Sequence, residues 1–288
     1  MKKIKKLFNI FRYFFCMKKI KKLFNIFRYF KNPFTVIGVL LSKEKMQNGA
    51  IIIPRKGLPV KVGRLSDSWI INKILNGGTI KVQGGDIIEN GFYLRQGTSD
   101  TYMYNESLLH ECCAESLKRI NKDSVVVDLG AHIGLYSSRV APYCKKVYAY
   151  EAVRENYIQG LKNVEGKNID FFNIAVWSIC GQMPYSGDGN VLKIGEGQKM
   201  TETITLEKIL ENIEKCDLIK IDIEGCEYEV LLFTPDSVFK KIKSIYLELH
   251  PHIIPNKNEE VVKLLERNNY KVTIRNVCGW EVLVADKL

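Results

Sequence analysis

Two stretches far apart in the chain, VVVDLGAHIGLYSS at 125–138 and LIKIDIEGCEYEVL at 218–231, read as the two halves of one pocket. Each is a continuous apolar run that ends in Gly and carboxylates. A parallel strand covered on both faces has this form, because it delivers its polar groups at its C-terminal edge. Ligands of open α/β sheets bind at that edge.

In the first run Asp128, Gly130 and Gly134 mark a tight strand-to-helix turn, and glycines there let the backbone come close to a ligand. Glu151 ends the next apolar run, VYAYE, a little over twenty residues after Asp128. An acid at that position reaches ribose hydroxyls. The turn is not a dinucleotide fingerprint. A G-x-G-x-x-G loop sets its first two glycines two residues apart, whereas Gly130 and Gly134 are four apart with Ala131, His132 and Ile133 between. No G-x-x-x-x-G-K-[ST] occurs, so no phosphate cradle is indicated. What remains is a nucleoside-type ligand with a ribose and no pyrophosphate, which points to S-adenosylmethionine as cofactor.

The length of 288 residues allows one large or two small domains, and 46% hydrophobic content allows a sizeable core. A formal net charge of +11 ordinarily points to nucleic acid or membrane. Its location changes that reading. Of the 43 Lys and Arg, 11 fall in residues 1–31, which hold no Asp or Glu, so residues 32–288 carry 32 basic against 32 acidic residues. The body is neutral, which disfavours nucleic acid as partner, since phosphate binding needs a cationic surface. The eight Cys form no C-x-x-C pair and no zinc-like spacing with the four His, which favours free thiols in a reducing, cytoplasmic setting.

The basicity belongs to a repeat: residues 1–14 and 17–30 are both MKKIKKLFNIFRYF. On a helix Ile4, Leu7, Phe8, Phe11 and Phe14 share one face opposite a basic one, the pattern of an interfacial membrane helix. The arm is too polar to span a bilayer. Sixteen residues at about 100° each turn the second copy by roughly 160°, so one straight helix cannot apply both apolar faces to one surface. A recent duplication and a start at Met17 both account for the repeat. The expectation is peripheral membrane contact through residues 1–31.

From 51 to 100 short runs (IIIP, PVKV, TIKV, DIIENGFYL) alternate with glycines and read as antiparallel β structure with tight turns, followed by a helical stretch from Glu106 to Leu117. Strands are then expected near 124–129, 147–151, 169–173, 218–223, 244–249, 270–275 and 281–285. Helical patterns (ENYIQGLKNV, TLEKILENIEK, NEEVVKLLERNN) lie between them, which makes an α/β sheet with crossover helices. Only Val277 to Trp280 separate YKVTIRN from EVLVADK, too few residues for a crossover, so these two strands must pair antiparallel. A parallel sheet finished by one antiparallel strand is the Rossmann-like arrangement of class I methyltransferases. The expected division is therefore a basic arm at 1–31, a β-rich and helical extension at 32–117, and the α/β domain at 118–288.

The chain resembles the FkbM family of S-adenosylmethionine-dependent methyltransferases. The resemblance is carried by FYLRQGTSD, VVVDLGAHIGLYS, Glu151 with Asn156, IAVWS, TLEKIL and above all LIKIDIEGCEYEVL, over roughly residues 92–250. Two positions depart from the family pattern: Ala152 follows Glu151 where Pro is usual, and Trp177 stands where a smaller residue is common. On this resemblance the cofactor contacts are Asp128, Gly130, Ala131, His132 and Gly134 in the first turn. Glu151 and Ala152 follow at the second strand, Asn173 and Ala175 lie beside the adenine, and Asp222 ends the fourth strand. His132 has no catalytic role in this reading. The implied activity is O-methylation of a sugar hydroxyl in a glycan, glycolipid or related metabolite.

Methyl transfer to an alcohol is an in-line displacement whose acceptor must lose a proton, so a positioned base helps. Asp222, Glu224 and His250 are the candidate catalytic residues, the His because an imidazole titrates near neutrality. No paired-ligand spacing among Asp222, Glu224, Glu248 and His250 indicates a metal, and none is expected. Three competitors remain. A nucleotide-linked oxidoreductase is disfavoured by the glycine spacing, and an RNA methyltransferase by the neutral body. A non-catalytic module of a membrane-associated biosynthetic complex would have no use for the acids at the sheet edge.

Overall fold

The computed structural model describes residues 17–41, 50–63, 67–109, 111–188, 191–250, 257–277 and 280–288; the first repeat copy lies outside them. The chain divides into two compact units, Met1–Glu106 and Ser107–Leu288.

In the first unit α1 (Met17–Tyr29) and α2 (Pro33–Leu41) precede the antiparallel pair β1 (Ala50–Ile52) and β2 (Val60–Val62). Helix α3 (Ser68–Leu75) leads to the antiparallel sheet β3 (Lys81–Gln83), β4 (Asp86–Glu89) and β5 (Phe92–Arg95). The β runs read from the sequence are all present. The helix over SWIINKIL was not foreseen, because its buried residues Ile70, Ile71 and Ile74 are β-branched and mimic a strand. Helices α4 (Asp100–Leu109) and α5 (Glu111–Leu117) follow.

The second unit is built on seven strands: β6 (Val125–Leu129), β7 (Lys146–Tyr150), β8 (Ile169–Phe172), β13 (Cys216–Ile221), β14 (Ile242–Leu249), β15 (Tyr270–Val277) and β16 (Trp280–Lys287). They lie in the order β15-β16-β14-β13-β6-β7-β8. The pairs from β14 to β8 are parallel and β16 runs against both its neighbours, so the expected Rossmann-like arrangement with one antiparallel strand is the observed one. The central strands are largely apolar because both faces are covered. Val127, Leu129, Ile219, Ile221 and Leu247 enter one core, with Leu206 and Leu264. Val126, Leu218 and Tyr246 enter the opposite core, with Tyr136 and Val140.

Helices α6 (Leu135–Val140) and α7 (Arg154–Val164) connect the first strands. A second sheet not foreseen from the sequence lies between β8 and β13. It comprises β9 (Ala175–Val176), β10 (Gly181–Asp188), β11 (Val191–Ile194) and β12 (Lys199–Ile204), ordered β11-β10-β12-β9. Residues 181–187 of β10 stay exposed or half-buried, so no apolar run announces the sheet. The helical pattern over 205–215 shortens to α8 (Leu206–Leu210), capped by the Thr205 hydroxyl accepting from Lys208 N at 3.2 Å. The chain must leave that helix early, since β13 starts at Cys216. Helices α9 (Glu227–Leu232), α10 (Asp236–Phe239) and α11 (Asn258–Arg267) complete the unit. No helix among the described residues is long and apolar enough to cross a membrane.

Candidate functional site

The parallel register sets Lys220 of β13 directly beside Asp128 of β6 on one sheet face. Neither charge reaches water easily: Asp128 is fully buried and Lys220 nearly so. Buried charges persist only when answered. Lys220 Nζ lies 3.4 Å from Asp128, 3.2 Å from Asp222 and 3.3 Å from the Gly130 carbonyl oxygen, with the Tyr136 ring 5.6 Å away. Ser137 at the start of α6 donates to the other Asp128 oxygen at 2.5 Å. Burial raises the Asp128 pKa, against which Lys220 and Ser137 work. Asp128 thus ties the turn, the helix and the neighbouring strand together from inside.

The turn itself runs through three left-handed residues, Gly130 (φ 79°), His132 (φ 52°) and Gly134 (φ 74°). Their placement refines the expectation that the glycines serve ligand approach. A Cβ on Gly130 would lie 1.8 Å from the Asp222 carbonyl oxygen, and one on Gly134 would lie 2.8 Å from Val164 Cγ1. Both glycines therefore let neighbouring pieces of protein close on the turn. The amides of Gly130 and Ala131 donate to Tyr150 O at 3.0 and 2.9 Å, joining this edge to β7.

Glu151, just past β7, reaches across to the same turn. Its carboxylate accepts from His132 N at 2.8 Å, Val153 N at 2.9 Å and Asn156 Nδ2 at 3.2 Å. Burial pushes its pKa up to about 7 against those hydrogen bonds. Asn173 donates to the carbonyls of Glu151 and Ala152 at 2.9 and 3.1 Å, and Ala175 is buried in β9. His132 does not point freely to solvent, since both its ring nitrogens are buried.

At the end of β13 the chain turns through Glu224 (φ 55°) and Gly225 (φ 98°). An ordinary residue in the left-handed region costs about 1–2 kcal/mol and marks a place where the fold imposes direction. Asp222, Glu224 and His250 each turn one potential ligand atom to a common point, all within 4.8 Å of one another, a convergence that their sequence spacing does not reveal. His250, just past β14, is almost fully buried. Its Nδ1 contacts Glu227 Oε1 at 2.5 Å, and its Nε2 lies 3.6 Å from Glu224 and 3.8 Å from Glu248. Burial alone would lower the His250 pKa, but Glu227 and the surrounding carboxylates outweigh it and raise it to about 9. Burial and the adjacent Asp222 push Glu224 up to about 7.

Two residues of this edge escaped the sequence reading. Lys220 carried a signal, because a lysine inside the apolar run LIKID must find a buried partner. Glu227, fully buried at the first turn of α9, carried none, since an acid there is ordinary helix chemistry. The edge gathers six acids (Asp128, Glu151, Asp222, Glu224, Glu227, Glu248) around Lys220 and His250. That surplus of negative charge fits a cationic sulfonium and ammonium ligand and opposes a pyrophosphate. S-adenosylmethionine therefore fits the groups present.

Comparison with known proteins bears on the same residues. Residues 128–272, half of the chain, match the family model of the methyltransferase FkbM domain. The AMB antimetabolite synthetase AmbE of Pseudomonas aeruginosa is 23% identical over 227 residues, a match taking in 60% of this chain and 11% of that relative. The chain thus spans about a tenth of the length of this curated relative. Among solved structures, a methyltransferase FkbM from Methylobacillus flagellatus KT is similar with a TM-score of 0.44 and 16% identity, over 65% of this chain and 53% of that one. A precorrin-6y C5,15-methyltransferase from Geobacter metallireducens GS-15 is similar with a TM-score of 0.41 and 15% identity, over 62% and 88%. The family match begins at Asp128 and runs through the whole sheet edge described above, and on it the chain belongs to the methyltransferase FkbM family.

Proposed function

We propose that the protein is an O-methyltransferase that uses S-adenosylmethionine to methylate a sugar hydroxyl of a glycan, glycolipid or related metabolite. The observation that carries this reading is Glu224. It sits at the C-terminal edge of the sheet in a left-handed conformation, its side chain is 34% exposed, and its pKa of about 7 suits a general base near neutrality. When bound, S-adenosylmethionine supplies a methyl carbon activated by its sulfonium. Asp222 would hold the cationic end of the cofactor and Glu151 its ribose. Glu224 would accept the acceptor's hydroxyl proton as that oxygen takes up the methyl group the cofactor would supply. His250 is charged near neutrality and buried, so the proton is assigned to Glu224 and not to the imidazole. The imidazolium, held by Glu227, faces Glu224 and favours its ionised form. Closely set carboxylates at Asp222, Glu224 and Glu248 also suit an acceptor carrying several hydroxyls, since carboxylates accept hydrogen bonds in pairs.

The acceptor class is tested by mass spectrometry of glycans and lipids from cells with and without the gene, where loss of one methyl group from a sugar is expected. With that acceptor and purified protein, turnover should rise with pH through about 7 as Glu224 ionises. Glu224→Gln should lower turnover by about 10²–10⁴-fold with S-adenosylhomocysteine affinity nearly unchanged. Cofactor binding without turnover on any hydroxyl acceptor would replace this reading with a non-catalytic binding module. Turnover abolished by a strong chelator would reassign Asp222, Glu224 and His250 to a metal.

A further inference from the structure

The second repeat copy presents only part of the apolar face that its helical pattern offers. Within the first unit, Ile26 of α1 and Phe30, just past its end, are both fully buried. The chain around its end is pinned: Lys31 N donates to Ile53 O at 2.7 Å, Arg55 N to Tyr29 O at 2.8 Å, and Asn32 bonds Ile51 O and Ile53 N. Part of the expected lipid-binding stripe is thus consumed by packing. What the fold leaves outside is another part of that stripe, Phe24 at 72% exposure and Phe27 at 41%, joined by Phe34 at the start of α2, which is 71% exposed. Phe27 and Phe34 meet edge to face, with ring centroids 5.5 Å apart.

We propose that Phe24, Phe27 and Phe34, together with Lys21, Arg28 and Lys31, form a docking surface for anionic lipid headgroups. Lys21, Arg28 and Lys31 are all exposed; Lys21 and Arg28 stand one helical turn from Phe24, and Lys31 follows just past the end of α1. No acidic residue occurs before Glu44, so nothing on this stretch of sequence opposes a negatively charged membrane. Phenylalanine has no hydrogen-bonding group to satisfy and enters the acyl boundary without cost, while Lys and Arg beside it reach headgroup phosphates. Single-stranded nucleic acid would also use cations and rings, but it stacks bases on open ring faces, and Phe27 and Phe34 are set edge to face. The surface stands apart from the methyl-transfer reading, whose residues all lie in the second unit.

The test is sedimentation of the full chain with vesicles of phosphatidylcholine containing phosphatidylglycerol, against phosphatidylcholine alone. The wild type should pellet only with the anionic vesicles, and less as salt rises. Phe24→Ser with Phe34→Ser, and separately Lys21→Glu with Arg28→Glu, should each weaken binding by about tenfold or more. These side chains are exposed, so thermal unfolding and S-adenosylhomocysteine affinity should not change. Equal pelleting with neutral vesicles, or unchanged binding of the paired Phe variant, would overturn the proposal. So would binding of single-stranded RNA by a wild type that ignores vesicles.

Discussion

Replacing Gly130 by Ala asks whether the sheet edge depends on the contact between its two halves. Two costs arise. The left-handed backbone, φ 79°, disfavours any Cβ by about 1–2 kcal/mol. The new methyl would also stand 1.8 Å from the Asp222 carbonyl oxygen and 2.8 Å from its carbon, backbone atoms that no rotamer change can move aside. Relief requires the turn to separate from the end of β13, straining the hydrogen bond from Asp222 N to Leu129 O at 3.1 Å. Overpacking of this kind costs about 1–3 kcal/mol and a weakened hydrogen bond about 1 more. Gly130→Ala should therefore destabilise the protein by roughly 3–6 kcal/mol in equilibrium urea unfolding. Gly166 supplies the control. It is also left-handed, φ 71°, but nothing lies within 4 Å of the place a methyl group would take there, so Gly166→Ala should lose only the backbone share, about 1–2 kcal/mol. Gly130→Ala should also weaken S-adenosylhomocysteine binding in calorimetry, because Asp222 is displaced, whereas the control should not. Equal destabilisation of the two variants would show that the close approach of Gly130 to Asp222 does not matter.

Glu151 and Glu227 give two further tests. The folded chain holds the Glu151 proton up to about pH 7 against 4.5 for the free carboxyl, so this group's share of stability falls as pH rises from 4.5 to 7. Glu151→Gln should flatten that fall in urea unfolding, leaving the part due to Glu224, and should weaken S-adenosylhomocysteine binding by on the order of 1.5–3 kcal/mol; an unchanged affinity would remove Glu151 from the ribose. For His250, which Glu227 holds, the sign is the same and the window lies higher. His250 is raised from 6.5 to about 9, so the stability it contributes is complete below pH 6.5 and lost as pH rises through about 9. Glu227→Gln should bring the His250 titration, followed by imidazole NMR, down from about 9 and erase that loss. A His250 that still titrates near 9 would show that Glu227 does not hold its charge.

Much of the second unit is legible locally. Strands covered on both faces are largely apolar, so central strands such as β6, β13 and β14 announce themselves, and the short link before Trp280 dictates the one antiparallel strand. The carboxylates at the ends of these runs also stand out, because a strand that turns polar at its last residue has reached an edge. The β9–β12 sheet does not, since half-exposed strands need no apolar run.

The sequence by itself determined the largely parallel sheet and its acid-lined edge, both of which follow from periodicity and from the residues that end single segments. Only the tertiary structure decided which charges face each other. Lys220 meets Asp128 because the register aligns residues 92 positions apart, and His250 meets Glu227 because the end of β14 lies beside the first turn of α9. It likewise decided that Phe30 is buried while Phe24 and Phe34 stay in solvent. A helical pattern fixes which residues share a face, but which face is covered depends on what the rest of the chain brings against it.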